Sequence, residues 1–330
     1  GGAGGDGDSL AERGQLGGVG GVEIDDQQVL ACAERLRGRK AKVDAARLLR
    51  NGRQAKRLQL KRGIGRNPWR GDGKKRCSCQ NVLHSPLMSG MIAAGGFWDS
   101  LPRPIVGLAP MNGITDHPFR HIQKQVGRPA VLYTEFTSVT GSFTRDGRLL
   151  QDFRYDETQR PILGQIFGRS PEHFRQMAIL LCQLGFDGID INMGCPTRSV
   201  AHSGSGAALI KTPELAQAIV AAVKTGIRDW CNGATVRDCA DTPGFIARLV
   251  EARAAELPPA YQAPRAIPVS IKTRIGYEQP SVDVWIPQLL ETGPAAIAVH
   301  GRTLRQAYGG HADWDEIGRA AELARGSGVL

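Results

Sequence analysis

Residues from about 100 to 330 predict an α/β fold on a parallel sheet, a (β/α)8 barrel (TIM type) truncated after about six strands. Three observations carry this expectation. Short apolar runs of β type alternate with helical patterns, which is the signature of parallel strands joined by crossover helices. Helix-start pairs, Ser-Pro and Thr-Pro, stand where helices must begin. Polar or reactive side chains sit near the C-terminal end of each strand run, so functional groups from many strands converge on one face, as at the mouth of a barrel.

The elements follow in order. "PIVGLAPM" (104–111) is the first strand, with Asn112 just after it; "AVLYTEF" (130–136) is the second, carrying Glu135. "PILGQIFG" (161–168) bears Gln165, and "GIDINMG" (188–194) bears Asn192 and leads to Cys195. "IPVSIKTRIG" (267–276) supplies Lys272 and Arg274, and "AAIAVHGR" (295–302) supplies His300 and Arg302. Between strands, "SPEHFRQMAILLCQLG" opens on Ser170 as N-cap and Pro171 in the first turn, and its apolar stripe makes Cys182 a core residue. "KTPELAQAIVAAVKTG" repeats the device with Thr212 and Pro213 and is expected to close on Gly226. An insertion at roughly 228–266 contains Cys231, Cys239 and one extra helix at "TPGFIARLVEARAAE". A doubly wound sheet would place a phosphate-binding glycine loop after the first strand, whereas "NGITDHPFR" has none. "SGSGAALI" (203–210) is glycine-rich but lacks the Walker lysine at the required place, and reads as the mobile part of the loop after Cys195.

The N-terminal segment is of another kind. The net charge of +10 suggests an anionic partner, yet residues 1–90 hold 18 Lys and Arg against 9 Asp and Glu, while 91–330 hold 24 against 23. Basicity therefore belongs to a Gly- and Arg-rich, low-order segment over 1–90, set apart from the barrel of 91–330. It reads either as an arm gripping RNA phosphates or, preferred here, as a non-native extension upstream of the true start near Met88 or Met91. "CSC" at Cys77 and Cys79, with His84, has the wrong spacing for a zinc knuckle, and no metal is expected. No apolar run approaches the roughly 18–20 residues needed to cross a bilayer. Seven irregularly spaced cysteines argue for free thiols in a reducing compartment, so a soluble, cytoplasmic, monomeric protein without a membrane partner is expected.

A cysteine after a buried strand is usually a small core hydrophobe. A lysine in an apolar strand is costly unless paired or facing a cavity, so Lys272 favours function. His300 reads either as a satisfied core histidine or as a site residue, and Gln165 either caps the barrel or binds a ligand. "LAPMNGITDHPFR", "QIFG", "DINMGCPTRSV", "GSGAALIKTPEL", "SIKTRIG" and "HGRTLRQAYGGHADW", in that order over about 103–318, resemble the tRNA-dihydrouridine synthases. That resemblance implies an FMN-dependent, NADPH-driven oxidoreductase that reduces the C5–C6 double bond of a uridine in tRNA. It implies Cys195 as proton donor, a role suited to a thiol whose ordinary pKa near 8.5 keeps it protonated at neutral pH. It implies Pro110, Met111, Asn112, Gln165, Lys272 and His300 as the FMN site, and Asn192 and Arg274 as uridine contacts. Alternatives are another FMN barrel oxidoreductase acting on a small pyrimidine or an enone, or an inactive fragment with a basic RNA-binding arm. "ARGSGVL" stands where a seventh strand is due, so an incomplete barrel, poorly folded and weak in FMN binding, is expected of the chain as given.

Overall fold

The computed structural model describes residues 96–140, 149–197, 200–201 and 203–330. The basic segment over 1–90, with Cys77, Cys79 and His84, lies outside the described residues. Among those described, the strands are β1 (Gly107–Leu108), β2 (Val131–Tyr133), β3 (Thr137–Ser138), β4 (Ile162–Phe167), β5 (Gly188–Met193), β6 (Val269–Arg274) and β7 (Ala296–His300). All pair in parallel in the order β1-β2-β4-β5-β6-β7, and β3 continues the line of β2 along β4. This is the half-barrel that the strand and helix alternation anticipates.

β2 is interrupted by a bulge. Tyr133 faces Leu163 and Thr137 faces Ile166, so four steps on one strand match three on the other. Thr134 fills the gap, its Oγ1 accepting the Gln165 N–H at 3.0 Å. The bulge turns Glu135 towards the loop after β1, where its carboxylate accepts the Gly113 N–H.

The principal helices are α1 (His117–Val126), α2 (Pro171–Gln183), α3 (Pro213–Cys231), α4 (Gly244–Ala255), α5 (Val282–Leu290) and α6 (Trp314–Ala324). Ser170 caps α2 by accepting from the His173 N–H, as its sequence predicts. Thr212 does occupy the N-cap of α3, but its side chain makes no capping bond. The expected stop at Gly226 is corrected. α3 runs on to Cys231, and a Cβ at Gly226 would stand 2.3 Å from the Arg175 carbonyl oxygen and 2.9 Å from the Ala178 Cβ. Gly226 lets α3 press against α2; it does not end the helix. The insertion accordingly starts after α3, and its expected helix is α4.

Ile162, Ile166, Ile189, Ile191, Val269 and Ile271 point from the sheet into the helices and meet residues such as Phe174, Leu181, Ile219 and Val223. Trp285 of α5 joins them, its Nε1 donating to Thr273 Oγ1 at 2.9 Å. A smaller apolar cluster of Trp98, Val131, Tyr133, Leu163, Ala295 and Ala296 closes the other end of the sheet. Among the described residues no helix is long and apolar enough to cross a membrane. Cys182, Cys195, Cys231 and Cys239 are all free thiols.

Candidate active site

β4, β5 and β6 run side by side, and their alternate residues face away from the helices. In register, Gln165 lies beside Asp190, Asp190 beside Ser270, Asn192 beside Lys272, and Arg274 beside His300. Period-two alternation thus stacks a polar ladder on the face that the helices leave uncovered.

These side chains are joined. Asp190, fully buried, accepts from Ser270 Oγ and, at 2.6 Å, from Gln165 Nε2. Gln165 Oε1 accepts from Asn192 Nδ2 at 3.1 Å. Asn192 Oδ1 in turn accepts the backbone N–H groups of Gly194 at 3.1 Å and Cys195 at 2.9 Å. Burial raises the Asp190 pKa to about 6, against the lowering pull of its two donors and of the Lys272 charge.

Cys195 sits in a turn fixed from several sides. Its Sγ donates to Thr197 Oγ1 at 3.2 Å, and its carbonyl accepts from the Ala207 N–H at 3.3 Å. Arg274 Nε donates to the Gly194 carbonyl at 2.7 Å. A Cβ at Gly194 would press on the Lys272 and Thr273 backbone, so glycine lets the turn lie against β6. The segment read as mobile is instead packed. Gly206–Lys211 forms a 3-10 turn with Ala207 and Leu209 fully buried, and Gly206 at φ +60° lies against Val200 and the Cys195 carbonyl.

Arg274 also has a structural task. Besides the Gly194 carbonyl, its Nη1 donates to the Thr303 and Ala307 carbonyls at 3.0 and 3.1 Å, so it ties the loop after β5 to the loop after β7. Lys272 is half-buried and its charge reaches Asp190 and His300. Burial first, then the charges of Arg274, Lys272 and Arg302, hold the His300 pKa down to about 3, so its imidazole is neutral at ordinary pH. Gly301 beside it permits the approach of Asp313, whose N–H donates to the Gly301 carbonyl and whose carboxylate caps α6.

Pro110, Met111 and Asn112 lie on the loop after β1. Thr115, fully buried, grips that loop through the Met111 N–H and carbonyl, leaving Asn112 exposed. Buried Arg120 steadies it from below by donating to the Thr115 and Arg154 carbonyls and to Gln159. Asp190, Ser270, Thr115 and Arg120 were not among the residues singled out from the sequence. The available signal was a carboxylate and a hydroxyl inside strands otherwise buried on both faces. Among the described residues no group of three or more His, Cys, Asp or Glu is placed to hold a metal ion.

The arrangement can hold an anionic or polar ring edge at Lys272 and His300 and present a protonatable thiol beside it. Residues 107–230 and 243–322 match the family model of dihydrouridine synthases, and the gap between them falls in the insertion. The chain is 34% identical over 232 residues to a probable tRNA-dihydrouridine synthase 2 of Bacillus subtilis (strain 168), covering 69% of this chain and 59% of that protein. It is 34% identical over 229 residues to a probable tRNA-dihydrouridine synthase of Staphylococcus aureus (strain COL), covering 67% and 56%. The chain therefore spans less than two thirds of the length of these relatives. With the family match extending over more than half of its residues, the chain belongs to the dihydrouridine synthase family.

Proposed function

We propose that this chain carries the catalytic face of an enzyme that reduces the C5–C6 double bond of a uridine in tRNA, with FMN as cofactor and NADPH as reductant. The observation that carries the proposal is the Cys195 turn, a thiol fixed at the end of β5 beside the cationic end of β6.

The donor set suits a flavin. Lys272 brings positive charge to the mouth, and His300, kept neutral, offers an N–H without adding charge. Pro110, Met111 and Asn112 would flank the ring, while Gln165, fully buried, would order the wall of the site through its bonds to Asp190 and Asn192. When bound and reduced, FMN supplies the hydride that the base receives at C6.

The remaining steps belong to the protein. The target uridine must leave its stack to reach the mouth, as the substrates of other base-modifying enzymes do. Its edge is read by what the hydrogen-bond chain leaves over, the second amide hydrogen of Asn192 and the Nη2 group of Arg274. The Cys195 thiol gives its proton to C5, and the thiolate then recovers a proton from water. The base has gained one hydride and one proton, and the thiol is unchanged.

In the full chain, Cys195→Ala is expected to lower dihydrouridine formation in tRNA by about 10²–10⁴-fold, the usual worth of a general acid. NADPH-driven reduction of bound FMN should continue near the wild-type rate. Product at the wild-type rate, or equal loss of both steps, would remove Cys195 from this role.

A further inference from the structure

We infer that Asp190 is a positioning residue, whose carboxylate sets the direction of a two-amide hydrogen-bond chain, Gln165 then Asn192, that holds the Cys195 turn in place. The inference deepens the proposed function and rests on it only for the importance given to Cys195.

Donors and acceptors along the chain fix its direction. An ionised carboxylate accepts only, and a backbone N–H donates only. Between the Asp190 carboxylate and the Gly194 and Cys195 N–H groups stand two primary amides, each of which can face either way. Asp190 requires an N–H from Gln165, which leaves Gln165 Oε1 to face Asn192. Asn192 must then give Nδ2 to Gln165 and keep Oδ1 for the turn, where it accepts both backbone groups. Both ends of the chain demand the same polarity. Reversing either amide would set oxygen against oxygen, or an NH₂ against two N–H groups. Asp190 and Gln165 are fully buried and Asn192 is 6% exposed, so water does not repair a reversed amide.

An acceptor-only group at this position accounts for a charge kept where its burial is costly. An asparagine at 190 would satisfy the same neighbours in either orientation, so it would impose no direction from this end and leave the order to the two turn N–H groups alone. Ser270 Oγ holds the second carboxylate oxygen, and Lys272 offsets the charge from β6. The other titratable neighbour, Tyr133 on β2, stays protonated because burial pushes its phenol up. Asp190 is therefore the group in this set that titrates near pH 6. On taking a proton it becomes a donor as well, and the direction is then imposed from the turn end alone.

The test is hydrogen exchange at the Gly194 and Cys195 amides of the full chain, corrected for the intrinsic effect of pH. Asp190→Asn should speed exchange there about tenfold, the worth of one net hydrogen bond. The double variant Asp190→Asn with Gln165→Glu moves the acceptor-only group one step along the chain and again forces Asn192 to present its oxygen to the turn. It should return exchange to the wild-type rate, whereas a general packing role for Asp190 predicts that two changes loosen the turn more than one. In the wild-type chain, exchange at the two amides should rise as pH falls through about 6, and this step should vanish in Asp190→Asn. Unchanged exchange in Asp190→Asn, absence of rescue, or a flat wild-type profile would each overturn the inference; the last needs no variant to fold. Dihydrouridine formation measured on the same proteins separates the two readings. Loosened amides with undiminished uridine reduction would leave the Asp190 chain standing and remove the Cys195 turn from the chemistry.

Discussion

The two faces of strand β5 are built from neighbouring residues and obey opposite rules. Ile189, Ile191 and Met193 enter the helix-covered core, while Asp190 and Asn192 enter a network of directed hydrogen bonds. On the first face stability comes from apolar area and close packing, which tolerate rotation and small shifts of shape. On the second, burying the same depth of chain is worthwhile only if every donor meets an acceptor. Core packing fixes where the strand lies; the polar face fixes what its end can do.

Damage to the packing face alone should separate the two faces most clearly. Ile191→Ala should lower the stability of the chain by about 2–5 kcal/mol, read as a fall in the denaturant midpoint. The hydrogen-bond order at the Cys195 turn should persist in the fraction still folded. Loss of turn order without loss of stability would show that the two faces are not separable.

A smaller effect concerns pH, and the sign differs between two residues of the polar face. Burial raises the folded pKa of Asp190 above its ordinary value, so its ionised form costs stability above about pH 6, and this cost is relieved as pH falls towards 4. His300 is held down to about 3, so the unfolded chain binds its proton first and stability is lost as pH falls below about 6.5. The two slopes oppose each other between pH 4 and 6. His300→Gln should therefore leave a chain that gains stability on acidification relative to wild type, and Asp190→Asn one that loses it, as measured by urea unfolding across that range. Slopes of the same sign in the two variants would refute the assignment.

The smallest effect belongs outside both faces. Arg319 bonds Asp283 at 2.7 Å between α6 and α5, but both side chains are largely exposed. Asp283→Asn should leave the urea midpoint almost where it is, and the small shift should shrink further at high salt.

Much of this architecture was legible in the sequence because local signals and global need agreed. Ser170 and Pro171 announce α2, and the apolar runs mark the strands, since their chemistry is local. Gly226 misled because its reason is a neighbouring helix, which no local pattern reveals. The buried packing of Ala207 and Leu209 escaped for the same cause, as glycine and serine around them read as a loop. At the site, the reactive residues at strand ends were recognisable by type. The orientation of Asn192 and the clamping role of Arg274 were not, because the first depends on the Gln165 amide of a neighbouring strand and the second on carbonyls brought near only by folding.

Arg274 has a consequence for how the sequence can vary. Its planar fork holds one carbonyl of the loop after β5 and two of the loop after β7, a geometry that a lysine's single ammonium does not reproduce. Those loops therefore cannot drift independently over generations. A residue gained or lost in either must leave a carbonyl where the guanidinium reaches, so the spacing between Thr303 and Ala307 is constrained by a residue some thirty positions earlier in the chain.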